Sequence, residues 1–375
     1  MKLAMLRCCT TAIGLPAYEP SANAVLGKLG IEFIDVKELN CCGYPLKNVS
    51  MKAYLHASSR NLALAEQRSL DLLTVCNCCF ASLKRAQRLF EEDSTMKADV
   101  RRTLNKEGLD YERRIVPKHF LQVLHDGIGV DAIREQVVRR FDGLKIAVHY
   151  GCHILRPKDV VQFDNPLAPT KLDRLIEATG AESIPWSAKL DCCGSPLVGI
   201  NDNLSMDLTR SKLENAKAAG ADAICVACPY CQHQFETVQR MVIGRSGSAS
   251  ALPSILFTQL LGLSLGIDPS ALGLKSDELP ISNELGESGA ETSLSVPTGF
   301  PDGPVELRAP LGCPGRRPRI PETAFPDSPP ASPDNKRGVS LSEALKACVG
   351  TRIAPVVSLN QAHCDRNLRA AWIPG

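Results

Sequence analysis

Two stretches of the chain carry the same instruction: Asp71-Leu72-Leu73-Thr74-Val75-Cys76-Asn77-Cys78-Cys79 and Ala223-Ile224-Cys225-Val226-Ala227-Cys228-Pro229-Tyr230-Cys231. Each is a short apolar run rich in residues that suit a buried strand, and each closes on a C-x-x-C pair. Helical periodicity follows both, over 81–90 and 232–241. Two more apolar runs, 2–6 and 144–149, lead into Cys9 and Cys152 in the same way. Each predicted strand therefore delivers a thiol at its carboxyl end and hands the chain to a helix.

Working outward, the four runs belong to an internal repeat. Cys9 is followed by 31 residues, then Cys41-Cys42-Gly43-Tyr44-Pro45-Leu46, then Cys76 and Cys79. Cys152 is followed by 39 residues, then Cys192-Cys193-Gly194-Ser195-Pro196-Leu197, then Cys228 and Cys231. Four landmarks in the same order, with a six-residue string matching at five places, establish a duplication. Helices are expected at 53–68 and 204–219, after the two vicinal pairs. Alternating strands and helices predict an α/β fold of two duplicated Rossmann-like subdomains with mainly parallel sheets, where function collects at the strand carboxyl ends. The expected boundaries are a first subdomain at 1–100, a largely helical, charged connector at 101–141, and a second subdomain at 142–276. The remaining segment, 277–375, holds 14 of the 26 prolines and no sustained apolar period, so disorder is expected there. Its Arg316, Arg317 and Arg319 read as a solvated cluster, or as a partner-binding tail.

Composition excludes several functions. A formal net charge of +2 over 375 residues, with 22% charged residues, gives no electrostatic footprint for nucleic acid or an anionic membrane surface. The apolar start Met1-Lys2-Leu3-Ala4-Met5-Leu6 breaks at Arg7, so no signal peptide is read and a cytoplasmic location is expected. The most apolar window, 251–267, contains Pro253, Thr258 and Gln259 and falls short of the roughly 20 apolar residues a membrane span needs, so it reads as a buried helix. Sixteen cysteines in a reducing compartment point to metal or redox chemistry rather than to disulfides. No G-x-G-x-x-G follows a strand, so no flavin or nicotinamide site is expected.

Five thiols per half narrow that chemistry. Zinc wants four tetrahedral ligands, and a cubane iron–sulfur centre also takes four, commonly in a C-x-x-C-x-x-C run that is absent from this sequence. A dithiol shuttle would use the vicinal pair and leave the C-x-x-C unexplained. Adjacent residues tend to point their side chains apart, so two neighbouring cysteines reach two metals of one cluster more easily than a single ion. The arrangement that uses all five is an enlarged or open iron–sulfur cluster. The glycine after each vicinal pair permits positive φ and close backbone approach to a bulky inorganic group, although Gly-x-Pro is also ordinary turn chemistry.

This layout, together with His149-Tyr150-Gly151-Cys152-His153 and Leu261-Gly262-Leu263, resembles the CCG-domain family of heterodisulfide reductase B subunits over about residues 1–275. The resemblance implies two noncubane [4Fe–4S] clusters, one on Cys9, Cys41, Cys42, Cys76 and Cys79, the other on Cys152, Cys192, Cys193, Cys228 and Cys231. It further implies that the clusters flank a small-molecule disulfide of the CoM-S-S-CoB type, each binding one sulfur and supplying one electron. A flavin-bearing A subunit and a C subunit with cubane clusters would supply the electrons. Protons must reach two thiolates; His153 is the preferred donor, with His149 and His233 in reserve, the alternative being that these are hydrogen-bonding residues of the core. Cys8 and Cys78 crowd the first motif, so Cys8 in place of Cys9, or Cys78 in place of Cys76 or Cys79, stays open. Cys225 reads as an apolar strand residue, and Cys313, Cys348 and Cys364 have no partners at cluster spacing. The helix over 254–265 reads as core or as a docking face. Two other functions remain: a CCG subunit of a quinone- or fumarate-linked reductase, and a zinc-stabilised scaffold without catalysis.

Overall fold

A computed structural model describes residues 3–9, 11, 15–246 and 251–274. In it the apolar runs form two four-stranded parallel sheets of identical order. Strands β1 (Leu3–Leu6), β2 (Phe33–Ile34), β3 (Asp71–Thr74) and β4 (Pro117–His119) lie in the order β2-β1-β3-β4. Strands β5 (Lys145–His149), β6 (Glu182–Ser183), β7 (Ala223–Val226) and β8 (Ser254–Leu256) lie in the order β6-β5-β7-β8. Every residue of β1 and β7 is buried, as expected of strands covered on both faces, and Cys225 in β7 packs as one of these apolar residues.

The helices that matter for the site are α1 (Tyr18–Lys28), α2 (Met51–Gln67), α3 (Asn77–Glu92), α4 (Asp202–Ala218), α5 (Pro229–His233) and α6 (Phe257–Ser264). Helices α2 and α4 occupy the same place in the two halves and start on equivalent caps. The Ser50 side chain accepts from the Ala53 N–H at 3.2 Å, and the Asn201 side chain accepts from the Leu204 N–H at 3.1 Å.

Two sequence readings need correction. The span 101–141 is not only helical, because it supplies β4, which pairs in parallel with β3. The window 251–267 likewise opens on a strand, β8, before its helix begins. Strands of three residues, carrying Lys118 and His119 in one case and following Pro253 in the other, are too short to show a period. Both enter their helices alike: the His119 N–H donates to the Gln122 side chain at 3.1 Å, and the Leu256 N–H donates to that of Gln259 at 3.2 Å. The duplication thus extends to a fourth strand–helix unit. All eight residues of α6 are buried, so this helix is core and presents no docking face. The proline-rich segment 277–375 with Cys313, Cys348 and Cys364 lies outside the described residues.

The halves meet through polar contacts at the strand ends. The Tyr18 hydroxyl lies 2.6 Å from the Val75 carbonyl oxygen and 2.9 Å from that of Ala227, and shares its single proton between them. These carbonyls immediately precede Cys76 and Cys228. Ser21 and Thr258 hydroxyls meet at 2.7 Å, and the Asn77 side-chain N–H donates to the Tyr150 carbonyl at 2.7 Å.

Candidate metal centre

The order β2-β1-β3 reverses chain direction across the sheet between β1 and β3, and the crevice beyond the carboxyl ends of such a strand pair is where open α/β sheets bind their ligands. Leu6 of β1 lies opposite Thr74 of β3, and His149 of β5 opposite Val226 of β7, so each pair of strands releases its cysteines at one edge. Cys76 caps α3 and Cys79 sits in its first turn; Cys228 and Cys231 hold the same positions on α5. Free N–H groups at a helix start favour a thiolate over a thiol.

Each vicinal pair is fixed by its turn. Gly43 has φ +85°, and a Cβ there would stand 2.8 Å from the Tyr54 carbonyl oxygen; Gly194 has φ +95°, and its Cβ would stand 2.5 Å from that of Ser205. Glycine is required at both places, by conformation and by space. The Ser58 hydroxyl donates to the Cys42 carbonyl at 2.5 Å, and the equivalent Thr209 hydroxyl donates to that of Cys193 at 3.1 Å. The segment before each pair is held from α2 and α4: Asn61 bonds the backbone of Asn40 and Cys41, and the Lys212 ammonium bonds the carbonyls of Ala188 and Asp191.

The five motif thiols of each half form one connected group. In the first, the sulfurs of Cys9 and Cys41 are 4.0 Å apart, and hydrogen-bonding contacts run on through Cys42 and Cys79 to Cys76. In the second they run from Cys152 through Cys192, Cys193 and Cys231 to Cys228. Buried Cys8 also enters the first group, its sulfur lying within 4.8 Å of those of Cys76 and Cys79, whereas Cys9 stands at the exposed margin. The two groups abut, since the sulfurs of Cys76, Cys78 and Cys228 lie within 4.8 Å of one another.

Proton sharing polarises each vicinal pair. Hydrogen bonds from the Cys41 and Cys79 thiols hold Cys42 well below the usual thiol range, and those from Cys152 and Cys193 bring Cys192 down to about 2. One sulfur of each pair is thus a ready anionic ligand. The donor set fits an iron–sulfur cluster: it is all sulfur, largely buried, and backed by a glycine that leaves room. A single tetrahedral zinc would leave one thiol of each five unused.

A cavity of about 40 Å³ opens where the groups meet, lined by Tyr44, Asn77 and Cys78 from the first half and Cys152, His153, Cys228 and Tyr230 among others from the second. His153 Nδ1 is 3.3 Å from the Cys78 sulfur and 3.8 Å from that of Cys152, with the Tyr44 ring edge-on at 5.2 Å. Burial pulls the His153 pKa down. His149 Nε2 is 3.3 Å from the Cys231 sulfur, and the ring is driven well below its ordinary pKa by burial and by the Lys212 charge. His233, at the end of α5, does not line the cavity. Asn77, Tyr44, Tyr18 and Lys212 escaped the sequence reading. Tyr44 and Asn77 fall at the variable positions of the motifs, which was their signal; Tyr18 and Lys212 had none.

A cysteine-rich CCG domain matches residues 4–84 and 146–236. The chain is 32% identical over 283 residues to the B subunit of the ferredoxin/F420H2-dependent CoB–CoM heterodisulfide reductase of Methanosarcina acetivorans, covering 74% of this chain and 94% of that protein. It is 33% identical over 255 residues to the 8-methylmenaquinol:fumarate reductase membrane anchor subunit of Wolinella succinogenes, covering 68% and 88%. An Archaeoglobus profundus protein described as similar to the heterodisulfide reductase B subunit is 30% identical, with 70% and 89% covered. Among solved structures, a hypothetical protein from Helicobacter pylori shares the fold, with a TM-score of 0.59 at 17% identity. That match covers 73% of this chain and about half, 51%, of the solved one. Among the described residues no helix is long and apolar enough to cross a membrane.

Proposed function

The chain belongs to the family of heterodisulfide reductase B subunits, and from that premise we propose that it is the catalytic iron–sulfur subunit of a disulfide-reducing complex. The observation that carries this reading is the meeting of two five-thiol groups at one cavity, with Cys76, Cys78 and Cys228 in mutual reach. Cys9, Cys41, Cys42, Cys76 and Cys79 hold one noncubane [4Fe–4S] cluster, and Cys152, Cys192, Cys193, Cys228 and Cys231 the other. Cys8 is the alternative to Cys9. Such clusters, when bound, supply electrons singly and offer an iron to sulfur, which suits the two-electron reduction of a disulfide.

The chain's own residues do the rest. Tyr44, His153 and Tyr230 line the cavity that admits the substrate, a disulfide of the CoM-S-S-CoB type or a related thiol pair. His153 Nδ1, beside Cys78 and Cys152, passes on the proton that a product thiolate takes up, charging only transiently because burial lowers its pKa. His149, neutral and buried behind Cys231, orients that thiol. The chain works in the cytoplasm and receives electrons from a flavin-bearing A subunit and a cubane-cluster C subunit. The Wolinella relative favours one second reading, an electron-transfer subunit of a quinone- or fumarate-linked reductase.

Anaerobically purified protein should contain about eight iron and eight labile sulfide per chain, as two four-iron clusters require; two zinc and no sulfide refute the proposal. The variant Cys193→Ala should lose half the iron and all disulfide reduction. His153→Gln should keep its iron and reduce disulfides at least about a hundredfold more slowly, the lower end for a lost general acid; quinol oxidation without disulfide reduction in the wild type would favour the second reading.

A further inference from the structure

Helix α4 carries a buried lysine that neither cysteine motif nor the proposed reaction uses. Lys212 is 2% exposed. Its Nζ donates to the carbonyls of Ala188 and Asp191, the latter at 3.1 Å, and stands 4.7 Å from the centroid of the Trp186 ring. Two carbonyl oxygens and a ring face all favour an ammonium. Among the described residues no carboxylate forms an ion pair with it. Burial pulls its pKa down to about 8, while Asp191 and the sulfurs of Cys193, Cys231 and Cys192 attract the charge at longer range and keep the ammonium at neutral pH.

Among the described residues the equivalent place in the first half carries no charge. One offset of 151 residues relates Cys41 to Cys192, Gly43 to Gly194 and Asn61 to Lys212. Asn61, fully buried, does the same mechanical work with a neutral amide: it donates to the carbonyls of Asn40 and Cys41 at 3.1 Å each and accepts from the Asn40 N–H at 2.9 Å. The backbone before each vicinal pair is held alike, while the charge beside it differs. Lys47 also carries its charge to the cavity, but it is half-exposed and acts on both Cys78 and His153 there. It does not distinguish the sites, and solvent screens it.

We propose that Lys212 makes the two thiol sites electrostatically unequal, raising the reduction potential of the site on Cys152, Cys192, Cys193, Cys228 and Cys231 above that of the first. A buried cation stabilises the more negative, reduced state of a neighbouring centre, and in a low-dielectric surrounding the effect outlasts several ångströms. The first electron entering the protein then resides at the second site. Lys212 is a positioning residue in this sense, acting through the ligands and not on substrate. The inference rests on the two-cluster reading of the previous subsection.

The test is an anaerobic redox titration of the cluster-loaded full chain, reduced by dithionite and followed by EPR. Cys193→Ala identifies the transition of the second site by its disappearance. Lys212→Gln keeps an amide donor, as Asn61 does, and drops the charge. It should retain its iron and lower the reduced-to-oxidised ratio of the second site about tenfold at fixed potential, equal to about 59 mV for one electron, with the first site unmoved. Lys212→Arg should titrate like the wild type. The proposal is overturned if Lys212→Gln shifts neither site or both equally, if Lys212→Arg shifts as far as Lys212→Gln, or if Lys212→Gln loses iron with no change in the remaining potential, which would make Lys212 a clamp only. Wild-type protein with fewer than about eight iron would overturn the two-cluster reading itself, before any substitution is compared.

Discussion

Replacing Gly194 by alanine should be among the most damaging single-methyl additions to this fold. At φ +95° an L-residue meets strain of about 1–2 kcal/mol. The added Cβ would stand 2.5 Å from the Ser205 carbonyl oxygen and 3.2 Å from Gln234 Nε2. The oxygen belongs to the first turn of α4 and shares the single Thr209 hydroxyl proton, at 2.9 Å, with the Cys193 carbonyl; as helix backbone it cannot rotate aside. Relief requires a shift of the helix, and overpacking of that kind adds about 1–3 kcal/mol. The total, about 2–5 kcal/mol, is a large share of the 5–15 kcal/mol typical of a folded domain. Gly43→Ala meets the same φ term with a looser contact, 2.8 Å to the Tyr54 oxygen, and should cost about 1 kcal/mol less. Gly220→Ala is the control: φ is +82° but nothing lies within 4 Å of the new Cβ, so only the strain of about 1–2 kcal/mol applies. Urea unfolding of the cluster-free, reduced protein measures the series, and iron per chain after reconstitution reads the site. The expected order of loss is Gly194→Ala, Gly43→Ala, Gly220→Ala, with iron retained only in the last. A Gly194→Ala protein that unfolds at the same urea concentration as Gly220→Ala would refute the claim that the vicinal turn is packed against α4.

Tyr18→Phe removes the hydroxyl that joins the Val75 and Ala227 carbonyls and should lower stability by about 1–3 kcal/mol, with faster amide exchange at 75–79 and 227–231. A loss under about 0.5 kcal/mol, below the usual net worth of one hydrogen bond, would show that Tyr18 does not hold the halves together. His119, fully buried, has its pKa pushed down by burial to about 3. The fold keeps it neutral while the unfolded chain takes up a proton below about 6.5, so its contribution is complete above that pH and drains away as pH falls towards about 3. His119→Leu, the residue found at the equivalent position 256, should therefore shrink the stability lost between pH 7 and pH 5 by about 2 kcal/mol. Identical urea midpoints for both proteins at pH 5, after matching at pH 7, would contradict that account.

The parts legible in the sequence are those where one local demand dominates. Strands β1, β3, β5 and β7 are largely buried, so they read as short apolar runs, and each is followed within three residues by a cysteine. Strands β2 and β6 are two residues long, and β4 and β8 three, which leaves no period to detect. The cysteines announce themselves by type, but sequence cannot say which sulfur of an adjacent pair turns inward. Cys8 and Cys9 follow the same strand, and the tertiary fold buries the first beside Cys76 and Cys79 while leaving the second 4.0 Å from Cys41. Tyr18 reaches a carbonyl 209 residues away, a pairing no local pattern encodes.

Comparison of the halves separates what the fold demands from what the cavity demands. Positions that shape the backbone keep their chemistry: Gly43 with Gly194, Ser58 with Thr209, Ser50 with Asn201. A positive-φ turn, a carbonyl needing a donor and a helix start needing a cap are the same requirement wherever they occur. Around the cavity the motif cysteines and the proline pair Pro45 and Pro196 also match, but the positions between them differ: Tyr44 stands opposite Ser195, Asn77 opposite Pro229, and Cys78 opposite Tyr230, all six being cavity-facing or next to residues that are. A metal-bearing scaffold alone sets no requirement for these three pairs to differ. A cavity that receives two chemically different sulfur-bearing groups does impose one, because each side must then recognise a different neighbour. The same reasoning applies one layer out, where Asn61 and Lys212 share a mechanical role and differ only in charge. The two halves thus keep the same backbone devices and thiols while differing in the residues between the thiols and in the charge behind them.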